Sequence, residues 1–274
     1  MGPATISFFD SRGRRQASTL AQTSGPPSGY IGELARPWRP MIGSEHLSHA
    51  LCTDTTGERV IGDELTSALV AAREELGVKS VRAHGILWDD TVTGVSAYRE
   101  VDGEPVHDFS GVDKVYDHIR GLGLYPVVEI SFMPHDLASD PSKTVFDYRA
   151  IVSPPKDWQR WYDLVRDLTQ HLVDRYGREE VVEHWSFEVW NEANLEVFWS
   201  GTPAEYMKMY DVTAAAVRAV DPRLKVGGPS SAAAGWVEAE VFRLTGMRLR
   251  QKLAVGAPGP EGSAMKLTFA RLAQ

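Results

Sequence analysis

Trp185-Ser186-Phe187-Glu188-Val189-Trp190-Asn191-Glu192 is the stretch from which the fold is read. Its apolar run, Trp185 to Trp190, reads as a strand, and a helix signal stands on either side. Upstream, about Asp157 to Tyr176 has helical spacing that Gly177 stops. Downstream, Thr202 with Glu205 three residues later matches a capping box, opening a helix to about Val220 before Asp221-Pro222 forces a turn. Leu224 to Gly227 then reads as the next strand.

The same alternation runs back toward the N-terminus. Met41 to Ser44 reads as strand one, followed by a helix over Asp63 to Leu76 with Leu65, Leu69, Val70 and Leu76 on one buried stripe and Gly77 as its stop. Ser80 to His84 is strand two, a long loop follows, and a helix from about Gly111 to Gly121 has Ser110 placed to cap it. Tyr125 to Phe132 is strand three, making the Trp185 stretch the fourth and Leu224 to Gly227 the fifth. The long segments all follow strands, where a TIM-type (β/α) barrel keeps its active-site loops. Each further βα unit needs about 30 residues, so three more strands do not fit between Gly228 and Gln274. The prediction is an α/β protein: a partial barrel of about five βα units at residues 40–242, an irregular or partly stranded lead-in at 1–39, and a helical hairpin at 243–274.

Composition bounds the partners. The 274 residues carry a formal net charge of −8 with no block of like charges, so neither nucleic acid nor an anionic membrane surface is an expected partner. Small neutral or cationic ligands remain open. The lone Cys52 offers neither an intrachain disulfide nor a cysteine zinc site, leaving a packed core to hold the fold. Without a bilayer-length apolar run or a continuous apolar signal segment near Met1, the default expectation is a cytoplasmic location.

In strand four the two-residue period puts Glu188, Trp190 and Glu192 on one face, with Glu188 mid-strand and Glu192 at the C-terminal end. That end of a barrel strand is where catalytic groups occur. Arg82 on strand two is the available counter-charge for Glu129 of strand three or Glu188, and bidentate pairing with either would make these residues structural. His84, nearer the mouth and followed by Asp89-Asp90, is the better ligand-binding candidate of strand two. The alternatives are a helix-capping or tethering carboxylate for Glu192 and a satisfied core histidine for His84.

Together, Pro40 to His46, Val81-Arg82-Ala83-His84-Gly85, Asp89-Asp90, Pro126 to Pro134, Asp136 to Ser139, Pro154 to Asp157, Phe187 to Asn194 and Gly227-Gly228-Pro229 resemble family 39 glycoside hydrolases, the β-xylosidase and α-L-iduronidase group. The resemblance covers about residues 36–242 and implies a (β/α)8 barrel and retaining hydrolysis of a terminal xylose-like sugar. It maps the general acid/base onto Glu192, the residue on the sugar 2-hydroxyl onto Asn191, and further sugar-binding residues onto His84 and Asp90. Many members have proline where this chain has Ala193. No metal or organic cofactor is implied.

Retaining hydrolysis needs a second carboxylate about 5 to 5.5 Å from the first. Glu188 is not that partner, because four strand residues put it roughly 13 Å from Glu192. By the resemblance the nucleophile belongs to strand seven, which the reading of this chain lacks. The sequence therefore predicts an impaired or inactive glycosidase. The alternative is a noncatalytic truncated or fusion protein that keeps the fold and weak sugar binding.

Beyond Arg243, Arg250 to Ala254, Pro258 to Ser263, Lys266-Leu267 and Gln274 resemble part of the C-terminal helical domain of acyl-CoA dehydrogenases. Dehydrogenase activity does not follow, because the catalytic parts of that family are missing. The expected role of the tail is to cover apolar surface of a half-barrel, whose open edges are otherwise expected to pair with a second copy.

Overall fold

Five parallel strands form the sheet on which the candidate site stands. In this computed structural model the described residues are 62–83, 85–89, 96–228 and 230, with the backbone at 7–9, 15–17, 41–44, 51–53 and 59–61. The chain divides into two compact units, Met1–Arg36 and Pro37–Gln274. In the first, Ser7–Phe9 pairs antiparallel with Arg15–Ala17.

In the second unit the strands are β1 (Met41–Ser44), β2 (Ser80–Ala83), β3 (Tyr125–Ile130), β4 (Ser186–Val189) and β5 (Val226–Gly227), hydrogen-bonded in that order and all parallel. Helices α1 (Asp63–Leu76), α2 (Ser110–Gly121), α3 (Trp158–Tyr176), α4 (Arg178–His184) and α5 (Pro203–Val220) alternate with them. This is a partial (β/α) barrel, as the alternation predicted. Arg82 pairs in register with Val127 and Glu188 with Glu129, which brings three charged residues of separate strands to neighbouring levels of one sheet.

The helices start and stop where local chemistry directs. Asp157 accepts from the backbone N–H groups of Gln159 and Arg160 at 2.8 and 3.0 Å, capping α3. Thr202 and Glu205 form the reciprocal capping box of α5. Gly77 ends α1 at φ +71°, the left-handed conformation that favours glycine.

Four expectations are corrected. Ser110 is the first residue of α2 rather than its cap, and its N–H donates to the Asp108 carboxylate at 2.9 Å, a stronger acceptor than a hydroxyl. On α1, Leu69 is buried but Leu76 is 64% exposed, because the helix ends there and its last turn leaves the core. Between Gly177 and β4 lies α4, with Val181 and Val182 buried, a helix too short to show a repeated period. Finally, Trp190 and Asn191 follow β4 instead of continuing it.

The long segments carry structure of their own. Leu51–Thr53 pairs with Arg59–Ile61, Tyr98–Val101 with Glu104–His107, and Thr144–Val145 with Ala150–Ile151, each as an antiparallel hairpin. Asp102-Gly103, both at positive φ, makes the tight turn of the second hairpin, a signal legible in the sequence. Glu100 of that hairpin meets Arg160 at 2.5 Å and Lys156 at 3.1 Å, fastening it to the start of α3. The helical hairpin read at 243–274 lies outside the described residues.

Candidate active site

Behind the end of β4 is an aromatic cluster. Trp190 is fully buried against Phe132, Trp161 and Trp199, at ring separations of 5.7, 6.5 and 5.3 Å. Burying an indole N–H without a partner is costly, and here Trp190 Nε1 donates to the Phe198 carbonyl at 2.7 Å, Trp161 Nε1 to Thr213 at 2.9 Å and Trp199 Nε1 to the Thr202 carbonyl at 3.0 Å. Tyr206 of α5 donates to the Val189 carbonyl at 3.0 Å. The strand end is thereby held on its aromatic side.

Immediately beyond Val189 the strand period breaks. Trp190 and Glu192 both adopt left-handed backbone, φ +67° and +42°, a conformation that costs a bulky residue about 1 kcal/mol or more. Such strain persists only where the surroundings impose it, and the aromatic cluster does so for Trp190. The two-residue alternation therefore fails to put Trp190 beside Glu188. Glu192, part-exposed, accepts from the Leu195 N–H at 2.9 Å through its carbonyl as the chain turns. Its charge nonetheless acts on Arg82 and Glu129.

Arg82 organises the charged side of β4. Its Nε and Nη2 donate to the two oxygens of Glu188 at 2.8 and 3.1 Å, the bidentate geometry expected of a structural pair. Nη2 also lies 3.3 Å from Glu129 Oε2 and donates to Asn191 Oδ1 at 3.0 Å. Of the two bidentate pairings left open for Arg82, the one with Glu188 is made, and Glu129 takes an ion-pair contact from the same guanidinium; the two acids are 2% and 0% exposed. Ser131 donates to Glu129 and Ser230 to Glu188.

Because a guanidinium only donates, the atom of Asn191 facing Arg82 is its amide oxygen, and the amide NH2 is directed elsewhere. Asn191, 4% exposed, is thus oriented as a donor at the end of β4. Among the described residues, Arg82 is the cation that faces Glu129 and Glu188. Burial pushes the Glu129 carboxyl up to about 8, against the pull of Arg82 and with the charges of Glu188 and Glu192 adding to the rise. Burial works against the charge of Arg82, but Glu129 and Glu188 outweigh it and raise its pKa.

Of the residues read from sequence, Glu192 and Asn191 stand together at the C-terminal end of β4; His84 and Asp90 lie outside the described residues. Sequence reasoning missed the Arg82 contact that orients Asn191, the serines on the two buried carboxylates, and a cavity of about 700 Å³ among the loops after β2 and β3, with Trp88, His135, Tyr148 and Arg149 in its wall. Ser131 and Ser230 gave no signal, since a serine finds a buried acid only through the fold. Among the described residues no group of three or more His, Cys, Asp or Glu side chains is arranged to hold a metal ion, and no helix is long and apolar enough to cross a membrane.

The family model described as Glycosyl hydrolases family 39 matches residues 27–248. A β-xylosidase of Caldicellulosiruptor saccharolyticus is 39% identical over 208 residues, covering 76% of this chain and 40% of that protein. One from Geobacillus stearothermophilus is 40% identical over 209 residues, covering 74% and 38%. The crystal structure of a GH39 enzyme from Xanthomonas axonopodis pv. citri superposes with a TM-score of 0.64 at 33% identity, over 75% of this chain and 37% of that one. A GH39 β-xylosidase from Caulobacter crescentus gives 0.63 at 33%, over 80% and 44%. The chain spans about two fifths of the length of the curated relatives it matches. With most of its length under the family model and three quarters of it aligned to these relatives, the chain belongs to glycosyl hydrolase family 39.

Proposed function

We propose that this chain carries the acid/base half of a retaining glycosidase site for terminal β-xyloside-like bonds. Glu192 gives a proton to the leaving oxygen and, in the second half of the reaction, takes one from water. Asn191, its amide NH2 turned away from Arg82, donates to a hydroxyl of the sugar ring, and His84 and Asp90 complete the sugar contacts. The observation that carries the reading is the end of β4, where a strained turn holds Glu192 next to an asparagine whose orientation Arg82 dictates.

Among the described residues no partner carboxylate is assigned as the nucleophile. Glu188 and Glu129 are committed to Arg82, so neither serves as a nucleophile at the anomeric carbon. The 274-residue polypeptide by itself is therefore impaired or inactive, retaining the fold and sugar binding. The tail at 243–274 adds no acyl-CoA chemistry, and purified protein without flavin absorbance is the expected result.

The test is hydrolysis of an aryl β-xyloside with an activated leaving group, by this chain beside Glu192→Gln. The expectation is that both folded proteins turn over only at background. Turnover that Glu192→Gln abolishes would refute the impairment and show that the nucleophile comes from this chain or a second copy. Sedimentation at several concentrations decides whether copies associate.

A further inference from the structure

Ser131 lies just past the end of β3 and is fully buried. Its Oγ accepts from the Gly85 N–H at 3.1 Å and contacts Glu129 Oε1. Its carbonyl accepts from the Leu87 N–H at 2.7 Å, and the Trp88 N–H closes the turn on the Gly85 carbonyl at 3.0 Å. One residue thus fastens the turn after β2 to the end of β3 at two points. Gly85, at φ +78°, has the left-handed backbone that favours glycine, so residue type fixes the same turn.

The hydroxyl of Ser131 also reaches the charged group. Glu129 turns Oε1 to Ser131 and Oε2 to Arg82 Nη2, 3.3 Å away, and that nitrogen donates to Asn191 Oδ1 at 3.0 Å. A chain of polar contacts therefore runs from Gly85 through Ser131, Glu129 and Arg82 to Asn191, joining the mouths of β2, β3 and β4. Alanine at 131 would strip a partner from the Gly85 N–H and from Glu129 Oε1 in the interior, where each loss is costly.

The chain responds to the proton on Glu129. When the carboxyl is protonated, Oε2 faces a guanidinium that only donates, so the proton sits on Oε1 and is given to Ser131 Oγ. On ionisation the direction reverses and Ser131 donates to the carboxylate. The Gly85 N–H bonds to the same hydroxyl oxygen in both states, and a hydroxyl that donates to a charge is the stronger acceptor. The groups that act on Glu129 are Arg82 of β2, Glu188 of β4 and Glu192 beyond it, and the buried phenols facing its charge are Tyr116 of α2 and Tyr206 of α5.

We infer that Ser131 is a positioning residue of the sugar site, its hydroxyl linking the turn at the mouth of β2 to the Glu129–Arg82–Asn191 group so that both are held in the arrangement that binds sugar. This role rests on the saccharide reading of the site at Glu192. The dipeptide His-Gly occurs once in the sequence, at 84–85, so labelling histidine with carbonyl 13C and glycine with 15N gives a single amide resonance, that of Gly85. In the intact chain this resonance is expected to move in one step with its midpoint where Glu129 titrates, about 8. Glu129→Gln, whose amide stands in for the protonated acid, removes the step and keeps the Gly85 N–H protected from exchange. Ser131→Ala removes the step and speeds exchange at Gly85 about fivefold, the worth of one ordinary hydrogen bond. Calorimetry with xylose is expected to show a similar loss of affinity, about fivefold, in Ser131→Ala. Thr202→Ala, which weakens the cap of α5, leaves the affinity unchanged, and thermal melts verify that each variant is folded. A Gly85 step that is absent from the parent, or that persists in either variant, would refute the link; if Ser131→Ala does not fold, Glu129→Gln decides. Xylose bound equally by Ser131→Ala and the parent would refute the positioning role and leave the saccharide reading standing. Failure of the folded parent to bind xylose would overturn both.

Discussion

Replacing Glu129 by glutamine should make the protein's stability less dependent on pH, by an amount the structure bounds. Glu129 is fully buried, shares Arg82 with Glu188, and is pushed by burial from an ordinary 4.5 up to about 8. Across that window the folded protein holds a proton that the unfolded chain releases. The carboxyl's contribution is therefore fully present below its unfolded pKa and is lost as pH rises through the folded one. The slope is at most about 1.4 kcal/mol per pH unit, or about 4 kcal/mol between pH 5 and pH 8. In Glu129→Gln the amide never titrates, and Arg82 keeps its 2.8 Å contact with Glu188. The assay is urea unfolding followed by tryptophan fluorescence at steps across this range, on both proteins. Carboxylates held low by partners, such as Asp117 with Arg175 and Asp221 with Arg223, affect both proteins alike and cancel in the difference. That difference, variant minus parent, is expected to rise with pH by several kcal/mol. A difference that stays flat, or falls, would show that Arg82 outweighs burial and that Glu129 is ionised throughout.

Three further outcomes follow from the same geometry. Arg82→Met leaves the buried Glu188 carboxylate without its cation, beside the Glu129 carboxyl, and should cost about 3–5 kcal/mol in urea unfolding at neutral pH; a loss below about 1 kcal/mol would mean that the triad is not the structural unit described. Trp190→Ala empties the centre of the aromatic cluster and should cost about 3–5 kcal/mol, with a matching drop in melting temperature as the readout. Asp157→Ala removes the acceptor of two N–H groups at the start of α3 and should cost about 1 kcal/mol, and a neutral result in denaturant would show those bonds to be replaced by water.

Much of the scaffold was legible because its signals are local. The bounds of β1 and α1 were read from the sequence residue for residue, and α5 from its Thr202–Glu205 box, since periodicity, a cap and a stop residue all act within a few positions along the chain. The hairpin at Asp102-Gly103 carries a signal of the same local kind, an Asp-Gly pair at positive φ. Helix α4 was not, because seven residues are fewer than two helical repeats.

The sequence by itself determined that strands and helices alternate, that Asn191-Glu192 comes at the C-terminal side of the fourth strand, and that Arg82 was the cation available to Glu129 and Glu188. Only the tertiary structure decided that one guanidinium takes both acids and Asn191 as well, that Trp190 turns from the strand into a cluster of rings, and that Trp88 and Tyr148, 60 residues apart, close one cavity. The reason is physical. Local order is set by the backbone's own hydrogen bonds and side-chain period, whereas the pairing of buried charges and rings depends on which strands become neighbours, and that is settled by packing across the sheet.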